Sequence, residues 1–288
     1  MRKKHVIILI VTILCMVIFF IFGMLAQRMI FDKSNSNKSA QRISLSYNKH
    51  FPRIKVSNVK GRSVNVESIF SEHKTKIVFY ISSKCESCNK IMDSILMYKY
   101  LLGTDKYQYV ILMSDSINVD NYKQYGIKNN EIYVVSNSKI NMGTPSIIML
   151  DNKDTISFIS DKTENLIKRI IATDGRENLV KKANQFFEEK ATGYKGKPVM
   201  VYFRMEGCPD CKAVTGILHE KEIENKFRRI DIYSNESYGE HKNVDVNEIF
   251  CTIYNIDWYP SFVLIRNNDS TVLGKMGRHK LEQELKSY

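Results

Sequence analysis

The sequence predicts an α/β protein of two successive units, each a central mixed β-sheet flanked by helices, placed after an N-terminal transmembrane helix. Three observations predict it. Strand-like and helix-like runs alternate twice in the same order, the pattern resets once near residue 174, and an uncharged apolar run opens the chain. At 288 residues with 43% hydrophobic content, the chain has room for two cores of ordinary size.

The opening run, Val6 to Ala26, is about 21 residues long and about 31 Å as a helix, enough to cross a bilayer. Arg2, Lys3 and Lys4 precede it, whereas Arg28 and Lys33 beyond it are partly offset by Asp32. The positive-inside bias therefore puts the N-terminus in the cytoplasm and the rest of the chain on the extracytoplasmic side of a cell membrane. A cleaved signal peptide is the competing reading, but the run is longer than an ordinary signal core and Met24 fits a cleavage site poorly. Cys15, in mid-span, reads as a buried apolar thiol. Residues 1–31 are thus the expected anchor. Residues 32–48, rich in Ser, Asn and Lys, are an expected flexible tether.

In the first unit, residues 49–173, strand-like runs fall at Lys76 to Ile81, Tyr107 to Met113, Ile132 to Val135 and Ser146 to Leu150. The second unit, residues 174–288, opens with Asp174 and Glu177 in capping-box spacing ahead of a helical stretch from Leu179 to Glu189. Its strand-like runs are Pro198 to Phe203, Phe227 to Tyr233, Ser261 to Ile265 and Thr271 to Met276, followed by an amphipathic helix over Arg278 to Leu285.

Of the six cysteines, four form Cys85-Glu86-Ser87-Cys88 and Cys208-Pro209-Asp210-Cys211. Both pairs follow an apolar strand and a short polar turn, and both precede apolar residues at helical spacing: Cys88, Ile91, Met92 and Ile95, then Cys211, Val214, Ile217 and Leu218. The first cysteine of each pair thereby falls at a helix N-terminus, where free backbone N–H groups and the helix dipole stabilise a thiolate. Cys85 and Cys208 are the candidate nucleophiles. Cys88 and Cys211, three residues on and facing the core, are placed to resolve a mixed disulfide.

This strand, Cys-x-x-Cys and helix, with a later Pro opening a hydrophobic strand, resembles the thioredoxin superfamily, twice over roughly residues 44 to 288. The later Pro lies in Gly143-Thr144-Pro145-Ser146 and in Trp258-Tyr259-Pro260-Ser261. The resemblance implies that Thr144-Pro145 and Tyr259-Pro260 are cis-proline loops that face the cysteines and hold a substrate's extended backbone. The first unit is similar to membrane-anchored, cytochrome-maturation-type oxidoreductases, through Phe51-Pro52, Gly61 and the turn Asp151 to Asp154; the second is similar to thioredoxin itself, through Lys197-Pro198 and Gly277. Two features depart from the family. Lys84 and Gly207 stand where a Trp usually precedes the first cysteine, and Phe79 and Tyr202 stand where thioredoxin has a buried acid.

The expected activity is thiol–disulfide exchange with protein or peptide substrates that carry disulfides or thiols, favouring a reductase or isomerase, with a separate redox partner for recycling. No dissociable cofactor is required, because the electrons reside on the cysteines. Glu86 and Asp210 oppose thiolate formation while Lys84, Lys90 and Lys212 favour it. A four-thiolate zinc site is disfavoured, because roughly 120 residues separate the pairs and each has its own strand, helix and proline. No metal is expected. Cys251 reads as a half-buried structural thiol in a helix over Val246 to Ile253. The six histidines show no paired metal-ligand spacing, and the net charge of +12 is scattered, so neither a hydrolase nor nucleic-acid binding is indicated. The alternative of another class is a membrane-tethered binding or chaperone-like module for exported peptides, without redox turnover.

Overall fold

The computed structural model describes residues 41–115, 122, 125–136, 138–191, 196–233 and 244–288. The expected membrane span and most of the expected tether lie outside these. Among the described residues no helix is long and apolar enough to cross a membrane. The described residues of 44–136 and 140–288 make one compact unit, and 41–43 with 138–139 a second, small one. In the latter, β1 (Gln41–Ile43) pairs with β7 (Ser138–Ile140) as a two-stranded sheet. Tyr47 and Asn48, expected in the tether, are held: the Tyr47 hydroxyl donates to the Ile159 carbonyl at 2.9 Å, and Asn48 N donates to the Ile156 carbonyl.

The architecture is α/β, with two mixed sheets and flanking helices. The larger sheet comprises β2 (Lys55–Asn58), β3 (Ser63–Asn65), β4 (Thr75–Ile81), β5 (Tyr107–Met113), β6 (Ile132–Ser136), β8 (Ser146–Leu150) and β9 (Ile156–Ser160). Its order is β3-β2-β6-β5-β4-β8-β9. β4 runs parallel to β5 and antiparallel to β8, so Ile81 lies opposite Met113 and Phe79 opposite Ile147. From Lys76 onward every residue of β4 is buried, as is every residue of β8, which suits strands covered on both faces. Lys76, fully buried, is satisfied by Asp154 at 2.6 Å and by the carbonyls of Asp151 and Asn152, which ties β4 to the β8–β9 turn.

The smaller sheet contains β10 (Val199–Arg204), β11 (Arg228–Tyr233), β12 (Ser261–Arg266) and β13 (Asp269–Leu273), in the order β11-β10-β12-β13. The last strand begins earlier than the expected Thr271. Asn267 and Asn268 both take positive φ, closing a two-residue hairpin that pairs Arg266 with Asp269.

Helices α1 (Glu86–Leu102), α2 (Thr163–Asp174), α3 (Glu177–Lys190), α4 (Pro209–Leu218), α5 (Lys221–Lys226), α6 (Val244–Tyr254) and α7 (Arg278–Ser287) cover the sheets. The expected capping box at Asp174 does not form. Gly175, at φ 84, ends α2 immediately after Asp174, so Asp174 is still helical and cannot cap α3. Its carboxylate instead accepts from Lys106 Nζ and the Tyr107 hydroxyl. Arg176 occupies the cap position of α3 and donates to the Thr252 and Ile253 carbonyls at the end of α6.

One apolar core runs through both sheets, taking in Ile77, Phe79, Ile91 and Ile147 from the first half and Phe187, Val201, Phe250 and Val263 from the second. Within it the Phe187 ring lies tilted 4.6 Å from Phe250, Phe186 stacks on Phe250 at 5.3 Å, and Tyr100 of α1 meets Phe186 edge-on at 5.4 Å. The helices that a lone sheet would leave to solvent are thus buried against the other half. Phe187→Ala should cost about 3–5 kcal/mol. Because the core is shared, chemical denaturation followed by Trp258 fluorescence and by far-ultraviolet circular dichroism should give one coincident transition, before and after the substitution. Two separated transitions in the parent chain would contradict a shared core.

Candidate active site

In the first half, β4 ends at Ile81 and the turn Ser82 to Lys84 delivers Cys85 to the start of α1. Cys85 is the N-cap residue: its sulfur accepts from Cys88 N at 3.1 Å, satisfying one of the orphan donors of the helix. Cys85 and Cys88 are joined as a disulfide, with Cα atoms 5.2 Å apart. Cys88 is buried beneath the sheet end while Cys85 remains partly exposed. Across from them, the Thr144-Pro145 peptide is cis, and the Cys85 sulfur lies 3.4 Å from the Thr144 carbonyl oxygen.

The second half repeats this construction. Cys208 is the N-cap of α4, its sulfur accepts from Cys211 N at 3.1 Å, and Pro209 at the first helical position needs no N–H partner. The Tyr259-Pro260 peptide is cis, and the Cys208 sulfur is 3.9 Å from the Tyr259 carbonyl oxygen. In both loops the serine after the proline closes the turn, Ser146 donating to the Gly143 carbonyl and Ser261 to the Trp258 carbonyl. All eight expected site residues are therefore gathered into two similar places, four to each.

The two places differ in three respects. The second pair is a dithiol, and both of its sulfurs are buried, with Cys208 only 7% exposed. Burial, reinforced by the hydrogen bond with Cys208, pushes the Cys211 thiol up to about 11. Gly207 takes φ 75, a conformation that a side chain there would strain, which accounts for a glycine in place of Trp. Trp258, one residue before Tyr259, is 41% exposed, with Lys275 Nζ 4.4 Å from its ring centre.

Asp115 was not visible as a site residue in the sequence. The parallel register that sets Ile81 against Met113 brings Ser83 against Asp115 two residues later. The Asp115 carboxylate accepts from Ser83 N at 3.0 Å and from the Ser82 and Ser83 hydroxyls at 2.9 Å each. Ser82 N in turn points to the Cys88 sulfur at 3.5 Å. Burial alone would raise the acid's pKa, but the Ser83 and Ser82 hydrogen bonds and the Lys84 charge outweigh it and hold Asp115 below its usual range.

Cys251 is more deeply buried than expected, at 4% exposure, and burial pushes its thiol up to about 12. It lies 3.4 Å from the Tyr259 hydroxyl, as part of the wall behind the second loop. Among the described residues no three His, Cys, Asp or Glu side chains come together as metal ligands would.

No family model matches the sequence, and no curated protein matches it. Several solved structures are similar to part of the chain. The thioredoxin domain of a thiol-disulfide oxidoreductase from Bacteroides vulgatus is 17% identical, with 44% of this chain and 99% of that one covered at a TM-score of 0.33. A thiol:disulfide interchange protein from Bacteroides sp. is 18% identical, covering 46% and 91% at 0.35. A thiol peroxidase from Chromobacterium violaceum is 11% identical, covering 46% and 90% at 0.35. Likenesses this slight carry no argument about activity, so the site is read from its own geometry.

A depressed carboxylate contributes stability that is present above its unfolded pKa of about 3.9 and is lost as pH falls through its lower folded value. Asp115→Asn should therefore lower the melting temperature at neutral pH and lower it less at a pH below the depressed folded value, where the parent carboxyl is itself neutral. Equal losses at both values would show that the charge of Asp115 does not hold the turn.

Proposed function

We propose that this chain is a membrane-anchored, extracytoplasmic thiol–disulfide oxidoreductase of the thioredoxin superfamily, with tandem thioredoxin-like units over residues 49–173 and 174–288. One observation carries the reading. In each half the first cysteine's sulfur caps a helix N-terminus, accepts from the N–H of its partner cysteine, and faces the carbonyl of a cis X-Pro peptide.

That geometry suits exchange. A thiolate at Cys85 or Cys208 is stabilised by the N-terminal N–H groups and the helix dipole, and it attacks one sulfur of a substrate disulfide, expelling the other as a thiolate. The resulting mixed disulfide is attacked by Cys88 or Cys211, which closes the pair's own disulfide and releases the second substrate sulfur. Two electrons pass from the pair to the substrate, and the pair's two protons go to the departing thiolates.

The hairpin of β2 and β3, with Gly61 at φ 75 in its turn, and the turn from Asp151 to Asp154 support a likeness of the first unit to cytochrome-maturation-type oxidoreductases. The basic start and apolar run of residues 6–26 support the anchor. Protein or peptide substrates and a separate recycling partner follow from the exchange chemistry, which needs no dissociable cofactor. Thr144-Pro145 and Tyr259-Pro260 hold the substrate chain, and a reductase or isomerase is favoured.

Replacing the resolving thiols is the direct test. Cys88→Ser and Cys211→Ser should each accumulate mixed disulfides with partner proteins, seen as bands that vanish on reduction, and the further loss of Cys85 or Cys208 should abolish them. Without such adducts from either variant, the binding module becomes the better account.

A further inference from the structure

The turn between β4 and α1, Ser82 to Lys84, has no task in the exchange mechanism above, yet it is tied in two directions. Outward, the Asp115 carboxylate accepts from Ser83 N at 3.0 Å and from the Ser82 and Ser83 hydroxyls at 2.9 Å each. Inward, Ser82 N donates to the Cys88 sulfur at 3.5 Å, and the Ser82 hydroxyl oxygen accepts from Lys84 N at 3.2 Å. The turn thus links a carboxylate at the end of β5 to the buried resolving sulfur through the backbone of Ser82. The corresponding turn of the second half, Met205 to Gly207, carries no hydroxyl.

We propose that Asp115 is a positioning residue for the first pair: it holds the Ser82–Ser83 turn so that the Ser82 N–H stays on the Cys88 sulfur and supports its thiolate during resolution. This rests on the exchange reading above. Cys88 is 1% exposed, so water gives its anion little support, and a fixed donor in the dry interior is worth more than one in water. Burial works against the Asp115 charge, but the Ser83 and Ser82 hydrogen bonds outweigh it and keep the acid below its usual range. Asp115 therefore remains an acceptor and is no base for Cys88.

The groups whose charge couples to Asp115 are Lys84, which offsets it, and the phenols of Tyr80 and Tyr122. Around the cysteines, Glu86 adds an acid in the first turn of α1. The cis-proline loop and β8 bring Thr144, Pro145, Ser146 and Ile147, all uncharged. The Asp115 charge by itself would repel a developing thiolate, whereas the donor that it positions attracts one. These opposite signs make the proposal testable.

In the resolving step Cys88 gives its proton to solvent and its thiolate attacks the Cys85 sulfur of the mixed disulfide. The Cys85–Cys88 bond forms, the bond to the substrate sulfur breaks, and that sulfur leaves with the electron pair. A hydrogen bond to the charged sulfur changes its ionisation about tenfold, and thiolate reactivity falls with pKa at a slope of about 0.5, so the net effect on resolution is about threefold.

The test uses the full chain carrying Cys208→Ser and Cys211→Ser, reduced and then mixed with dithiobis(nitrobenzoate). Attack by Cys85 releases one coloured thiolate and resolution by Cys88 releases the second. A control that also carries Cys85→Ser and Cys88→Ser supplies the release from Cys15 and Cys251, to be subtracted. Asp115→Asn removes the charge together with the hydroxyl acceptor, while Ser82→Ala with Ser83→Ala removes the hydroxyl ties and keeps the charge. Both should slow the second release about threefold at neutral pH, and the gap should close as pH rises and Cys88 ionises without help. The serine variant also covers the case in which Asp115→Asn folds poorly. A second release that Asp115→Asn quickens, or that the serine variant leaves unchanged, would overturn the positioning role and leave the exchange reading standing. A parent chain that gives no second release at any pH would overturn both.

Discussion

Most of the site depends on one contact: a cysteine sulfur accepting the backbone N–H of the residue three positions later, at the first turn of a helix. It appears at Cys85 and again at Cys208, at 3.1 Å each time. A sulfur in that position satisfies a donor that would otherwise be orphaned, and the same donor favours the anion needed for nucleophilic attack. The contact also dictates the surroundings. It requires the helix to begin at the strand end, so the second cysteine turns inward beneath the sheet, and the antiparallel neighbour, β8 or β12, brings a cis-proline carbonyl to the outer side of the first sulfur.

The shared core decides how these two places are supported. A four-stranded sheet has little apolar surface of its own to bury, and α3 and α6 supply it with Phe187, Phe250 and Tyr254 set against α1 and α2 of the first half. The Cys85 helix is therefore braced from behind by the second half. Within the second half Arg176 donates to the last carbonyls of α6 and the Tyr254 hydroxyl to Asn184, and across the seam the Tyr100 hydroxyl donates to Glu189. The described residues of both halves pack on one apolar core for this reason.

Both cysteine pairs, both proline loops and the strands that carry them were legible because each is a local pattern of apolar periodicity next to a chemically distinctive residue. What escaped is long-range. Asp115 is an ordinary polar residue at a strand end until the register of β4 on β5 sets it beside Ser83. The capping-box reading of Asp174 failed because spacing alone does not reveal that Gly175 ends one helix there. The seam between the halves was hidden as well, since Phe186, Phe187 and Phe250 look like ordinary apolar positions on amphipathic helices. Tyr202 could be placed by counting back from Cys208, but the bond from its hydroxyl to the Cys211 backbone carbonyl depends on how α4 lies over β10.

The central claim is that both pairs are exchangeable dithiol–disulfide couples. The most direct measurement is the reduction potential of each pair, by equilibrating the chain with glutathione or dithiothreitol buffers and counting linked cysteines by alkylation and mass spectrometry. The account predicts two separable couples, Cys85 with Cys88 and Cys208 with Cys211, with values nearer about −270 mV than about −120 mV for a reductase. A chain in which neither pair changes state in any buffer would contradict it.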